Sequence, residues 1–264
     1  MHLFLYLNKN TWVHRLDPRT KIIGSLLFCV YCLCFNHPLY MGGITLVIIF
    51  LAISAEALLN FWRLRFLLLL LFVFSALLWS FFAKGPSILW VWKGMQVSKE
   101  SLFYGIAMGL RLTTFVAIGL IFLSTTKNEE FTNGLIRLGV PYPMAFALAT
   151  ALRLIPTFVG AGATIIQAQV SRGLDLESGN IFTRFKKFIP QAVPLFIYAI
   201  RYTNLLAMAL ESKGFSPGAK RTLYYEPRMQ KIDFLCLFLL LIVLVFLLYA
   251  RVFLNLGIII PGRI

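Results

Sequence analysis

Cys29-x-x-Cys32-x-Cys34 is the densest set of possible metal ligands in the chain. It has no matching second pair and no His or acid within its run, whereas a zinc site needs about four ligands. All four cysteines, Cys236 included, lie in apolar stretches and read as small filler, with no disulfide framework implied. His2, His14 and His37 are scattered, and no His-Glu-x-x-His pattern occurs. No Ser, His and acid set is visible. No Gly-Lys dipeptide exists, so a Walker-type phosphate loop is excluded and ATP cannot be hydrolysed here by that route. Apart from Glu56, near one end, the apolar stretches hold no acid, and a proton- or sodium-coupled carrier usually keeps one. Neither cofactor nor metal is implied.

The chemistry that remains is cationic and occurs twice. Ala168-Gln-Val-Ser171-Arg172-Gly173 and Ala209-Leu-Glu-Ser212-Lys213-Gly214 share the pattern Ala-x-x-Ser-(Arg/Lys)-Gly. Either one alone reads as a helix end. Glycine suits the left-handed position past the last turn, and a cation there complements the helix dipole. Two near-identical ends present two cations at two helix tips. Such tips suit acidic grooves on another protein, where a partly desolvated charge pair is worth most.

These tips need an apolar scaffold. Of 264 residues, 59% are hydrophobic and 13% charged, against nearer half and a quarter in soluble domains. Five stretches are read as spans: 22–35, 39–58, 66–82, 102–125 and 234–249. Asn36-His37-Pro38 is read as a tight turn between the first two. Asp17 and Pro18 read as a helix cap and first turn, which sets Arg19 and Lys21 at the lipid headgroups. The chain therefore divides into an N-terminal membrane part (1–125, four spans), a section at 126–233, and a last span with its tail (234–264). The fold expected is all-α: a polytopic membrane protein with about five transmembrane helices and long cytoplasmic helices, which the resemblance described below implies are coupling helices.

Orientation follows from Lys and Arg placement. Lys9, Arg15, Arg19 and Lys21 precede the first span, Arg63 and Arg65 follow the second, and 13 Lys and Arg lie between Thr126 and Asp233. The N-terminus and the 126–233 section are thus expected in the cytoplasm, and the loop from Ala83 to Ser101 outside. The net charge of +15 is this inside signal and not a nucleic-acid footprint. Within 126–233, stretches 148–166 and 188–210 are apolar enough to span, but Arg153, Pro156, Pro190, Pro194 and Arg201 interrupt them. Helices lying along the membrane domain at the cytoplasmic face are the favoured reading.

The two tips resemble the pair of Ala-Arg-Gly motifs in the transmembrane T component of energy-coupling-factor (ECF) transporters. Leu152-Arg-Leu-Ile-Pro156, Gly173-Leu-Asp175, Ile189-Pro190, Pro194-Leu-Phe196, Glu211 and Phe215 also match, as does the lead-in His14-Arg-Leu-Asp-Pro-Arg-Thr-Lys21. Serine replaces the first Ala of each motif and Lys213 the second Arg, which keeps the charge but not the planar fork. The resemblance implies a non-enzymatic subunit of the bacterial cell membrane. It implies docking on two ABC ATPase subunits through Ser171, Arg172, Gly173, Ser212, Lys213 and Gly214. It also implies a substrate-binding membrane S component as partner, and uptake of a micronutrient, a vitamin rather than a metal. The competing readings are a self-contained carrier or channel lined by the interrupted helices, and a lipid-acting membrane enzyme.

Overall fold

The structure is a computed structural model and describes residues 6–7, 9, 11–83, 87–92, 95–174, 180–215 and 229–253. Asp175, Lys84, Lys93 and Arg221 lie outside that set. The chain forms two compact units, residues 1–138 with 227–264, and residues 139–226.

The first unit contains α1 (Trp12–Arg15), α2 (Pro18–Cys34), α3 (Pro38–Ser54), α4 (Leu58–Phe82), α5 (Lys99–Thr125), α6 (Asn128–Arg137) and α9 (Lys231–Phe253). An antiparallel hairpin of β1 (Ile88–Trp92) and β2 (Met95–Ser98) sits between α4 and α5, within the stretch read as a plain loop. The second unit is the pair α7 (Tyr142–Ser171) and α8 (Ile181–Ser212).

Among the described residues, five helices are long and apolar enough to cross a membrane: α4, α5, α7, α9, and α8 from Lys187 onward. The protein is a multi-pass membrane protein. Three of the five coincide with expected spans, and two are the interrupted helices of the second unit. The first two expected spans form α2 and α3, 17 residues each. At 1.5 Å per residue these are about 25 Å long, short of a hydrocarbon core of about 30 Å.

Local signals set several boundaries. Asp17 caps α2, its side chain accepting from the Arg19 N–H, with Pro18 at the first helical position. His37 caps α3 by accepting from the Leu39 N–H, and Pro38 again starts the helix. The span read as 39–58 stops earlier, at Ser54. Glu56 adopts φ 51°, Ala55 and Ala57 are fully buried, and a new helix begins at Leu58. Arg63 and Arg65, placed in a loop by the sequence reading, therefore lie within α4, where the Arg65 guanidinium stacks 4.1 Å over Trp62.

Helix α5 is the axis of this unit. Gly105 and Gly109 form a Gly-x-x-x-Gly pair that lets α4 approach closely. A Cβ at 109 would lie 2.9 Å from the Phe72 carbonyl oxygen, and one at 105 would overlap Ser80 and the Ala76 carbonyl. Without a strong hydrophobic drive between helices in lipid, such small-residue contacts and interhelical hydrogen bonds hold the bundle. Thr114 of α5 bonds Thr45 of α3 at 2.9 Å, and Asn60 of α4 donates to Ser124 of α5 at 2.7 Å. Cys32 packs in an apolar cluster with Met41, Ile48, Ala107, Ala117 and Ile118.

Candidate functional site

Helix α7 ends at Ser171 and α8 at Ser212, each one residue before its cation, as the glycine positions require. Gly173 has φ 89° and Gly214 φ 73°, the left-handed region that a Cβ disfavours. The two ends close alike. The Leu174 N–H donates to the Gln169 carbonyl at 3.0 Å and the Gly173 N–H to Val170 at 2.9 Å. In the second end, Phe215 donates to Leu210 at 2.9 Å and Gly214 to Glu211 at 2.8 Å. Both are Schellman motifs, in which the backbone itself satisfies the last carbonyls of the helix.

That closure leaves the side chains free to point away. Arg172 and Lys213 are exposed, and neither pairs with an acid among the described residues. Their serine neighbours explain how a hydroxyl replaces the family's alanine. Ser171 donates back to the Gln167 carbonyl and Ser212 to the Ala209 carbonyl, each at 3.0 Å, so neither hydroxyl demands an outside partner.

The second unit fixes where the tips stand relative to each other, which the sequence did not reveal. Phe146 packs on Phe215 with ring centroids 4.7 Å apart. Phe158 packs on Tyr198 and Tyr202 at 6.1 and 6.0 Å, and Gln169 Nε2 lies 3.5 Å from the Pro190 carbonyl. Contacts that run up one helix while running down the other make the pair antiparallel. The two cations therefore occupy opposite ends, separated by about 40 Å of helix. Pro194 contributes to this arrangement. It lacks the N–H that would bond the carbonyl four residues back, and that carbonyl is Pro190's, the one Gln169 reaches. Gln191, Tyr198 and Tyr202 line the more buried side of α8, whereas Phe188, Val193, Phe196, Ile200, Leu205 and Met208 are exposed. Arg153 and Arg201, the charges that interrupt these helices, are exposed as well.

The first unit contains polar residues whose roles the sequence reading missed. Arg111 of α5 is buried. Its Nε donates to the Cys32 carbonyl at 2.9 Å, and its terminal nitrogen donates to the Phe35 carbonyl and Asn36 Oδ1 at 2.7 and 2.6 Å. Arg251 of α9 donates to the Leu33 and Cys34 carbonyls, both at 2.8 Å. Two guanidinium groups from two other helices thus cap the C-terminus of α2. The Tyr31 hydroxyl also donates to the Leu240 carbonyl of α9. Lys21, placed at the headgroups by the sequence reading, is buried instead, because Nζ finds the His14 and Thr125 carbonyls at 2.9 Å and Glu130 at 3.7 Å. The only sequence signal for Arg111 was its being the single charge in the apolar stretch 102–125.

Among the described residues, no group of three or more His, Cys, Asp or Glu could hold a metal ion. Comparison with known proteins identifies the family of the chain. The sequence model of CbiQ, the cobalt transport protein family, matches residues 9–225. The chain is 34% identical to the energy-coupling factor transporter transmembrane protein EcfT of Staphylococcus aureus (strain 04-02981) over 239 residues, 86% of this chain and 88% of the relative. It is 33% identical to the protein of that name from Acidaminococcus fermentans over 258 residues, 93% of this chain and 95% of the relative. A third, from Limosilactobacillus fermentum, is 29% identical over 251 residues, 92% of this chain and 94% of the relative. With matches of that extent and identity, the chain belongs to this family, the transmembrane T components of ECF transporters.

Proposed function

We propose that this chain is the non-catalytic energy-coupling subunit of an ECF-type importer of the bacterial cell membrane. The α7 and α8 ends dock on two ABC ATPase subunits in the cytoplasm, and the membrane bundle holds a substrate-binding S component. Closure of the ATPases on ATP moves the tips, and the helices carry that movement to the S component, which reorients with its cargo. The cargo is a micronutrient, and a vitamin is favoured over a metal by the closeness of the coupling-helix flanks. That preference stands against the family description's mention of cobalt. The N-terminus and the second unit face the cytoplasm, in keeping with their Lys and Arg.

One observation carries this reading. Two helix ends of the same backbone closure each present an exposed cation, and they lie at opposite ends of one antiparallel pair. A single partner groove would need one such tip. Two equivalent tips about 40 Å apart suit two copies, or two relatives, of one groove-bearing protein. At each groove the cation meets acidic groups as it loses water, and truncating one partner of such a pair costs about 2–5 kcal/mol.

The test is co-purification. Arg172→Ala is expected to lose ATPase subunits from the tagged chain, whereas Arg221→Ala keeps them. ATPases recovered at wild-type yield with the Arg172 variant would refute the docking role. Transport by the chain alone in liposomes, with no ATPase present, would favour a self-contained carrier instead.

A further inference from the structure

The second unit joins the first through two stretches of chain, leaving after α6 and returning ahead of α9. The elements on the first unit's side of these junctions, α6 and the start of α9, are fastened to the same short lead-in of α2. On the return side, Asp233 in the first turn of α9 is buried. Its Oδ1 accepts from the Asp17 N–H at 2.9 Å, while Oδ2 accepts from the Gln230 N–H at 2.8 Å. On the outgoing side, Lys21 Nζ binds the Thr125 carbonyl that ends α5 and reaches Glu130 of α6. Gly134 of α6 rests against Pro18 and Ile22, so that a Cβ there would lie 3.0 Å from each of their side chains. The charges of Glu130, Asp17 and Asp233 all act on Lys21. Asp17 also caps α2 through the Arg19 N–H at 2.9 Å.

We propose that the lead-in Asp17–Lys21 is the anchor through which displacement of the second unit enters the membrane bundle, with Lys21 and Asp233 as positioning residues for coupling. The consequence for coupling rests on the function proposed above; the anchor itself does not. A junction tied only by flexible chain would absorb movement. Here the start of α9 is held to the α2 start by the buried carboxylate of Asp233, and α6 by the Lys21–Glu130 ion pair and the packing of Gly134 on Pro18 and Ile22. Displacement of α6 or of the α9 start therefore pulls on α2. The far end of α2 is gripped by Arg111 of α5 and Arg251 of α9. A rigid element fixed at both ends can pass movement along its axis, which a frayed start could not do.

Two experiments separate the anchor from the function it serves. In the first, hydrogen–deuterium exchange is followed on the purified chain. Lys21→Met and Asp233→Ala are expected to speed exchange about tenfold in α6 and in the first turn of α9, with α3 unchanged, as for local opening. Unchanged exchange at both junctions overturns the anchor whatever the protein does. Gly134→Leu, which wedges α6 from α2 without altering charge, should act as Lys21→Met does on α6. Where Lys21→Met does not fold, Glu130→Gln and Asp233→Asn carry the same comparison.

In the second, the chain purified together with its ATPases is examined with and without ATP and vanadate. Lys21→Met is expected to retain the ATPases and their hydrolysis while the nucleotide-dependent change in exchange of α2 and α5 falls about tenfold, within the range of coupling between distant sites. A wild-type-sized change overturns the coupling role. Failure of the wild-type chain to bring down any ATPase instead refutes the proposed function and leaves the first experiment to judge the anchor.

Discussion

The C-terminus of α2 and the C-termini of α7 and α8 face the same problem and solve it in opposite ways. Each helix leaves its last carbonyls without intrahelical donors. At α2 the solution is external: Arg111 and Arg251 reach in from other helices and are consumed in doing so. At α7 and α8 a left-handed glycine turns the backbone on itself, and the cation beside it is exposed, with no acidic partner among the described residues. A buried capping arginine fastens helices. A cation released from capping is available to a partner. The type of helix ending thus separates residues that hold the fold together from exposed residues that the proposed docking would use, although all are Arg or Lys at a helix end.

The contrast can be broken at several points. The largest effect is expected at Arg111. In Arg111→Ala, two carbonyls and the Asn36 side chain lose donors at a buried site, for a loss of about 3 kcal/mol or more. Thermal unfolding in detergent micelles should show it, together with a smaller fraction surviving size-exclusion chromatography. The same melt should place Arg172→Ala and Lys213→Ala within about 0.5 kcal/mol of wild type, as for exposed positions. If the tip variants melted as early as Arg111→Ala, the division between fastening and released cations would be lost.

Docking reverses the ranking. The double variant Arg172→Ala/Lys213→Ala should abolish ATPase recovery, while a mildly destabilising core change such as Cys32→Ala should not. Lys213→Arg tests whether the missing planar fork matters. Tighter ATPase retention would mean that the second groove accepts a bidentate contact.

A smaller effect is expected at the glycines. Among the described residues nothing lies within 4 Å of a Cβ built at Gly173 or Gly214, so the cost of alanine there is mainly backbone strain, about 1–2 kcal/mol. Relief of that strain by unwinding the last turn would displace the cation. Gly173→Ala should therefore weaken ATPase binding more than it lowers the melting midpoint. The reverse order would show the glycine to be a stability device alone.

The smallest effect concerns pH at the lead-in. Burial pushes His14 below its ordinary 6.5, with the charge of Lys21 acting in the same direction and the Leu7 and Ser124 backbone opposing. The unfolded chain then takes up a proton at this site at higher pH than the folded one. Stability from His14 is complete above about pH 6.5 and falls as pH drops through that value toward the folded one. The melting midpoint of wild type should decline over that window more than that of His14→Gln. Parallel declines in the two proteins would remove His14 from the account.

Much of this molecule was legible in its sequence, because the properties concerned are local. Apolar runs long enough for lipid give α4, α5 and α9, and Asp17-Pro18 and His37-Pro38 start helices where capping chemistry places them. Ser-Arg-Gly and Ser-Lys-Gly mark two helix ends, since a glycine that can enter the left-handed region closes a helix whatever surrounds it. The break at Ala55–Ala57 was not visible, because alanines buried against the bundle carry no turn signal of their own. Nor were the destinations of Arg111, Lys21 and Asp233. A charge in an apolar run announces that it needs a partner, but its partners include backbone atoms 76, 104 and 216 residues away in the chain. Only packing brings those atoms within hydrogen-bond reach. The antiparallel arrangement of α7 and α8 belongs to the same class. Sequence determined that there are two matching cationic tips, and tertiary contact between Phe146 and Phe215 and between Phe158 and Tyr198 decided that they stand at opposite ends of one pair.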